Sequence, residues 1–349
     1  MYLNYIQQLR ALSIALVVAW HTTAVFSWVQ NSKALKLLGI LLVDSSTVLI
    51  FVAGYIFQHL LAKYNVKKYY ISKLKYIISP YILISLPTIL YYVFIQHREA
   101  AKVWPGFYDQ PISMQILSFY ATGSHLSPMY FIPVISIFYI ISPLLVLADK
   151  IKWFYWLMPV FFIFSYKVWR GLPLNTFIHF FAIYIFGMFC SRHKLQLTAL
   201  LKNTYILLLL AIACLILSLL AFYEIDDYYV NAYVFTQKIF LAVLLIGVFE
   251  RFSTQEIPKP VQLIANTSFG IFLIHPYVLF GAKFLSRHAN LFFNAQNARL
   301  QGSMLLHFIT AILVIAVSSA LVLLIHYLLQ EKSWILIGRE SKGKAPKRE

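Results

Sequence analysis

The hydrophobic positions of this chain form long apolar segments, which short polar connections separate. Most of these segments are long enough to cross about 30 Å of hydrocarbon as one helix. The pattern predicts an all-α, polytopic integral membrane protein with about ten transmembrane helices, although the two short segments on either side of residues 170–173 alternatively form one hairpin. The predicted segments lie near residues 5–28, 38–60, 75–95, 128–148, 152–168, 175–191, 204–222, 232–249, 267–285 and 303–329.

The distribution of positive charge predicts how these helices are oriented. Lys and Arg are enriched in cytoplasmic loops of membrane proteins. When alternate loops are grouped, most of the 29 Lys and Arg residues fall on the side that also holds both chain ends. We therefore expect cytoplasmic termini, a transmembrane domain over residues 1–331 and a basic cytoplasmic tail over residues 332–349. The expected location is a bacterial-type plasma membrane, which the chain crosses several times.

Composition narrows the functional classes. Hydrophobic residues make up 61% of the chain and charged residues only 12%, which is far from the composition of an average soluble domain. The net charge of +17 resides in short loops and the tail, so it indicates topology rather than nucleic-acid binding. Cys190 and Cys214 both fall in apolar segments, so neither a disulfide framework nor a metal site is indicated.

Two ionisable residues stand out in the first apolar segment. Arg10 and His21 are eleven residues apart, which is nearly three helical turns, so both side chains project from one face about 16 Å apart along the axis. Ionisable groups inside a membrane usually line a cavity or a pathway, because exposing a charge to hydrocarbon costs about 2.5 to 3.5 kcal/mol. In the alternative interpretation, Arg10 anchors the helix at the headgroups and His21 satisfies a neighbouring carbonyl.

Other polar residues form candidate sites on the two sides of the predicted membrane. On the cytoplasmic side, Lys73, Lys75 and Tyr76 lead into the third helix, and the lysines there favour an anionic ligand. On the outer side, Asp44 requires a partner or water. The outer loop that closes with His125 and Tyr130 mixes aromatic and polar residues, which suits a carbohydrate but also ordinary interfacial packing.

Five motifs follow one another along the chain. They are Arg-x10-His at Arg10–His21, Phe51–Tyr55, the basic run Lys73–Tyr81, His125–Pro133 and Ser268–Pro276. In this order they resemble the membrane-bound acyltransferase type 3 family, and within it the branch that acts on poly-N-acetylglucosamine-type polysaccharides. Ala53 stands where that family usually has Ser, which leaves the role of that position in question.

The resemblance implies an O-acyltransferase of cell-surface glycans. Its donor substrate would be cytoplasmic acyl-CoA, either acetyl-CoA or succinyl-CoA, and no metal is implied. The acceptor would be a hydroxyl of a glycan outside the cell. The expected partners are this glycan and membrane lipid, and nucleic acid is not expected. The protein could also form a homodimer or associate with polysaccharide-synthesis machinery, and the sequence leaves both possibilities open.

Specific residues can be assigned to the steps of this acyl transfer. A sugar hydroxyl is a poor nucleophile near neutral pH, so its attack on a thioester needs a base, and His21 is the candidate for that base or for a transient acyl carrier. Arg10 is the second candidate catalytic residue, and with Lys73, Lys75 and Tyr76 it would bind the donor's phosphates and pantetheine. The acceptor would be bound by Asp44, His125 and Tyr130 of the outer side and by His275. For His275, a structural role is an equal alternative, in which the buried ring satisfies carbonyls freed by Pro276.

Two other classes of membrane protein share this topology. A polysaccharide exporter would need polar residues spread over several helices, whereas polar residues are sparse in the middle of these segments. A secondary transporter would be expected to have interrupted helices at corresponding positions in two halves. Pro80 and Pro87 have no equivalent pair late in the chain. Lys238, inside an apolar segment, would face either an acid or a cavity, and the sequence favours neither.

Overall fold

The computed structural model describes residues 4–29, 32–99, 103–168, 170–252, 256–292 and 300–338, except for the side chains at 287 and 289–292. Within these ranges the chain is helical and forms no β-strand, which confirms the all-α prediction. The helices are α1 Asn4–Thr22, α2 Lys33–Leu42, α3 Ser46–His59, α4 Val66–Lys73, α5 Ser79–Phe94, α6 Ile112–Thr122, α7 Phe131–Ile140, α8 Ser142–Asp149, α9 Met158–Lys167, α10 Pro173–Arg192, α11 Lys194–Leu201, α12 Thr204–Tyr223, α13 Asp227–Arg251, α14 Lys259–Phe292, α15 Met304–Leu329 and α16 Trp334–Ile337.

The apolar helices confirm a polytopic membrane protein. Seven helical stretches within the described ranges are long and apolar enough to cross a membrane, or eight if α6 and the stretch Ser127–Ile140, bent by 77° against each other, make one span. The prediction of ten segments is not confirmed in number, and the side of each terminus stays a prediction. Helix α9 has only 10 residues. The first half of α1 is polar, so α1 also falls outside the seven.

The chain divides into two compact units. Among the described residues, the first unit contains those before Leu60 together with Phe186–Val322, and the second contains Leu60–Ile185 together with Leu323–Gly338. In the first unit α1 packs mainly on α14, and also on α13 and α3, while α12 and α13 pair as a hairpin. In the second unit α5 packs on α6 and on α16.

Helices α3 and α10 approach each other closely within the first unit, at Gly187. A Cβ atom there would lie 2.2 Å from the backbone oxygen of Phe51. The absence of a side chain at Gly187 is therefore what allows the two backbones to pack at this distance.

We expect Gly187→Ala to lower the stability of the protein by about 1 to 3 kcal/mol, because the helices must separate to admit the methyl group. Thermal unfolding of the detergent-solubilised protein measures this loss. Gly281→Ala is the matched control, since Gly281 is also helical but has no atom within 4 Å of the added Cβ. An unchanged melting temperature for Gly187→Ala would show that the close approach of α3 and α10 is absent.

Candidate active site

Helices α1 and α14 of the first unit carry the candidate catalytic residues. Arg10 contacts Ser268, and His21, at the far end of α1, lies beside His275 further along α14. The contact that lies later on α1 also lies later on α14, so the two helices run in the same direction. This agrees with the predicted order of segments, in which the first and the ninth cross in the same sense.

Arg10 is held by hydrogen bonds at the α1–α14 contact. Its Nη2 donates to Ser268 Oγ at 2.9 Å, and its Nη1 donates to Gln7 Oε1 at 3.4 Å, one turn earlier on α1. Ser268 is buried, whereas Arg10 is only half-buried. The guanidinium is thus oriented by its neighbours, and Arg10 retains partial exposure, as an anion-binding residue requires.

His21 and His275 form a pair of imidazoles. Their ring centroids are 5.9 Å apart and their planes are inclined by 36°. His275 is fully buried, and its Nδ1 lies 3.0 Å from the backbone oxygen of Ile271, while His21 is half-buried. The structure therefore joins two of the predicted site residues, one from the candidate catalytic set and one from the candidate acceptor-binding set.

The stretch of α1 between Arg10 and His21 is packed. Ile14 and Val17 lie between these residues on the same face and are only 2% and 6% exposed. A donor that reaches from Arg10 to His21 must therefore pass beside this apolar stripe and not along it.

Asp44 lies at a break between two helices of the first unit. Helix α2 ends at Leu42 and α3 begins at Ser46, and Asp44 has a positive φ of 60° and is only 5% exposed. A non-glycine residue in this conformation is uncommon, but Asp tolerates it better than most residues. The break leaves backbone carbonyls at the end of α2 without their helical partners.

Lys238 of α13 fills this break. Its Nζ donates to the backbone oxygens of Ile40 at 3.0 Å and Leu41 at 2.9 Å, and to Gln237 Oε1 at 2.8 Å. The charge of Asp44 also acts on this ammonium group. Lys238 thus faces both an acid and the end of a helix, so the structure gives Asp44 a structural partner in addition to its predicted role toward the acceptor.

The basic run in the second unit contains a wide helical turn. Residues Leu74–Ile78 between α4 and α5 are π-helical, and the N–H of Ser79 donates to the oxygen of Leu74, five residues back. Pro80 has no N–H to donate to the oxygen of Tyr76, as a continuous α-helix would require at that position. Single π turns of this kind occur frequently at functional sites.

Aromatic rings surround the two lysines of this run. Lys73 Nζ lies 5.0 Å and 4.6 Å from the ring centroids of Tyr69 and Tyr139. Ammonium groups are stabilised at such positions over aromatic faces. The rings therefore orient the ammonium group of Lys73 inside the second unit.

Lys75 is placed in the same way by residues far apart in the sequence. Its Nζ lies 5.4 Å from the ring centroid of Tyr76 and 4.3 Å from that of Trp334. Trp334 begins α16, inside the stretch predicted as a basic tail, and its ring contacts Tyr76 edge-on at 6.0 Å. Residues 339–349 of that predicted tail lie outside the described residues.

His125 and Tyr130 belong to the turn between α6 and α7 in the second unit. His125 is fully buried, its Nδ1 lies 3.2 Å from the backbone oxygen of Phe119, and its ring centroid lies 6.0 Å from that of Tyr81. Tyr130 ends the short helical turn before α7 and is half-buried. Of these two candidates for acceptor binding, Tyr130 is the more accessible.

Two residues that contact the site, Ser268 and Trp334, were not among the predicted site residues. Ser268 lies seven residues before His275, nearly two helical turns, and this spacing was the available signal that both belong to one face. No such signal was available for Trp334, because more than half the length of the chain separates it from Lys75 and Tyr76 in the sequence.

Comparison with known families gives one finding. The family model described as an acyltransferase domain matches residues 3–328 of the 349-residue chain. The match includes all the site residues predicted from the sequence, whereas Trp334 lies beyond it. Comparisons with curated proteins and with solved structures gave no match.

Proposed function

We propose, from the premise that this chain belongs to the membrane-bound acyltransferase type 3 family, that it moves an acetyl or succinyl group from cytoplasmic acyl-CoA to a hydroxyl of a glycan outside the cell. The observation that carries the proposal is the placement of Arg10 with Ser268 and of His21 with His275 along one pair of helices. An anion-binding group and a group able to move a proton thus lie on one structural element.

The chemistry of the transfer assigns the imidazole pair to the reacting hydroxyl. Attack of a hydroxyl oxygen on a thioester needs a proton acceptor within hydrogen-bond distance, and an imidazole suits this task near neutral pH. His21, as that acceptor or as a transient acyl carrier, contacts the reacting atoms. The partial exposure of His21 supports this role.

The donor is assigned to the basic residues. Arg10 binds a phosphate of the donor through its guanidinium fork, and Lys73, Lys75 and Tyr76 of the second unit keep donor binding as a prediction. The ammonium groups of both lysines are held over aromatic rings, which orients them for this task. Because Ile14 and Val17 are buried, the pantetheine arm runs beside this face of α1.

The acceptor-binding residues are proposed on the opposite side of the membrane. His275 is supported by its position beside His21, and Tyr130 by its partial exposure. Asp44 and His125 keep this role as predictions, and each also has structural neighbours that account for its burial.

A transfer assay separates acyl transfer from glycan export. Membranes that contain the protein are incubated with radiolabelled acetyl-CoA or succinyl-CoA and with N-acetylglucosamine oligosaccharides. We expect label on the oligosaccharide that depends on the protein. Movement of unlabelled oligosaccharide across sealed vesicles, without acylation by either donor, would instead support an exporter.

Substitution of Arg10 tests donor binding. We expect Arg10→Lys to raise the KM for acyl-CoA about tenfold, because a lysine cannot form the paired hydrogen bonds of a guanidinium and a charge-assisted bond contributes about 1.5 kcal/mol or more. Steady-state kinetics with acyl-CoA varied measures this change.

Arg251→Lys is the matched control for Arg10. Arg251 also donates from Nη2 to a hydroxyl, Thr204 Oγ1 at 3.1 Å, but it lies at the exposed end of α13. Equal effects of the two substitutions on KM would argue against a specific role of Arg10 in donor binding.

A further inference from the structure

We propose that Nε2 of His275 is the atom that takes the proton of the acceptor hydroxyl, while His21 contacts the oxygen of the same hydroxyl. The inference rests on the proposed function and changes one assignment within it: His275, and not His21, is the proton acceptor, while His21 stays in contact with the reacting hydroxyl. Four observations around His275 carry it.

The first observation is the hydrogen bond of Nδ1. This nitrogen lies 3.0 Å from the backbone oxygen of Ile271, and a carbonyl oxygen can only accept a hydrogen bond. Nδ1 therefore carries the hydrogen of the neutral imidazole. Nε2 is left with an unprotonated lone pair, which is the form that a base requires.

The second observation is that this lone pair is unused. Nε2 is buried, it has no hydrogen-bond partner among the described residues, and the side chain of His275 has no exposed surface. Leaving a buried polar atom unsatisfied costs about 1 to 3 kcal/mol, and such atoms in folded proteins are usually satisfied. A hydroxyl that donates to Nε2 would remove this cost.

The third observation is the distance to His21. A hydroxyl oxygen about 2.8 Å from a ring nitrogen lies about 4 Å from the centroid of that ring, so one oxygen can bond two imidazoles whose centroids are up to about 8 Å apart. The centroids of His21 and His275 are 5.9 Å apart. One hydroxyl can thus donate to Nε2 of His275 and accept from a ring N–H of His21, whose partial exposure provides access.

The fourth observation concerns the charge that proton transfer creates. Pro276 lies inside α14 and has no N–H for the backbone oxygen of Phe272, one turn earlier. The oxygen of Ile271 lies 3.0 Å from Nδ1, and the oxygen of Phe272 also contributes to the electrostatic environment of the His275 ring. Two carbonyl dipoles therefore stabilise the imidazolium that forms when Nε2 accepts a proton.

The acyl transfer needs only the hydroxyl, the thioester and His275. The hydroxyl oxygen bonds to the thioester carbonyl carbon as its proton moves to Nε2 of His275. The C–S bond then breaks, and the departing sulfur takes that proton and leaves as the thiol. The products are the O-acylated sugar and free CoA, and His275 returns to its neutral form.

The test is a set of variants assayed with radiolabelled acetyl-CoA and N-acetylglucosamine oligosaccharide. His275→Gln retains a hydrogen-bonding amide but cannot act as a base at neutral pH. We expect its kcat to fall about 10² to 10⁴-fold, with the KM for the oligosaccharide changed less than about threefold. His179→Gln is the matched control, because His179 Nδ1 also lies against a backbone oxygen, that of Ser165 at 2.8 Å.

Chemical rescue separates a base from a structural residue. Added imidazoles should restore turnover to His275→Ala, and the restored rate should increase with the basicity of the added compound. A kcat for His275→Gln within threefold of the wild type, or restored rates that do not depend on basicity, would overturn the assignment. Wild-type protein that acylates no oligosaccharide would contradict the proposed function itself, so the two failures are distinguishable.

Discussion

Acyl transfer by the His21→Ala variant is expected to be about 10² to 10⁴-fold slower than that of the wild type. Each role proposed for His21, whether as proton acceptor, as hydrogen-bond partner of the acceptor hydroxyl or as transient acyl carrier, places its imidazole against the reacting atoms. The methyl group of alanine can neither exchange a proton nor hold the hydroxyl between two rings. Turnover of radiolabelled acyl-CoA in membranes, normalised to the amount of protein, measures the loss.

The control for this experiment is another histidine of the same unit. His288 on α14 is exposed, and its Nδ1 bonds the backbone oxygen of Phe284 at 2.8 Å. We expect His288→Ala to retain wild-type turnover. Near-normal turnover of His21→Ala at equal expression would remove His21 from the proposed mechanism.

The largest expected effect on stability is that of Lys238→Met, about 3 to 5 kcal/mol. The substitution leaves the oxygens of Ile40 and Leu41 without the ammonium donor and leaves the buried Asp44 without its opposite charge. The melting temperature of the solubilised protein should fall by about 5 to 10 °C.

A second lysine provides the comparison for Lys238. Lys36 of α2 also donates to a backbone oxygen, that of Glu224 at 2.9 Å, but this hydrogen bond is exposed to solvent. Lys36→Met should change the melting temperature by less than about 2 °C. Adding Asp44→Asn to Lys238→Met should recover part of the lost stability, because a neutral amide then replaces the uncompensated carboxylate. A Lys238→Met protein as stable as the wild type would show that the break at residues 43–45 does not depend on this ammonium group.

Parts of the candidate site were predictable because they depend on local periodicity. The eleven-residue spacing of Arg10 and His21 places them on one face of α1, independently of how α1 packs against other helices. The basic run at Lys73 and Lys75 could likewise be recognised from residue types alone. The π turn at Leu74–Ile78 was not predicted, although Pro80 was a signal that the helical hydrogen bonds are interrupted there.

The continuous apolar run from residue 38 to residue 60 gave no sign of a broken helix. Asp44 was visible as a polar residue within the run, but its role at the break depends on Lys238, which lies nearly two hundred residues later. Apolar periodicity reports which residues avoid water and carries no information about which distant side chain satisfies a freed carbonyl.

The sequence by itself determined the class of this protein, its all-α character and the shared face of Arg10 and His21, because hydrophobicity and helical spacing are properties of neighbouring residues. Only the tertiary structure decided which groups meet that face. Ser268 beside Arg10, His275 beside His21, and Lys238 at the break are joined by packing between distant helices. Such contacts follow from the shapes and polar groups of whole helices, so local spacing could not determine them.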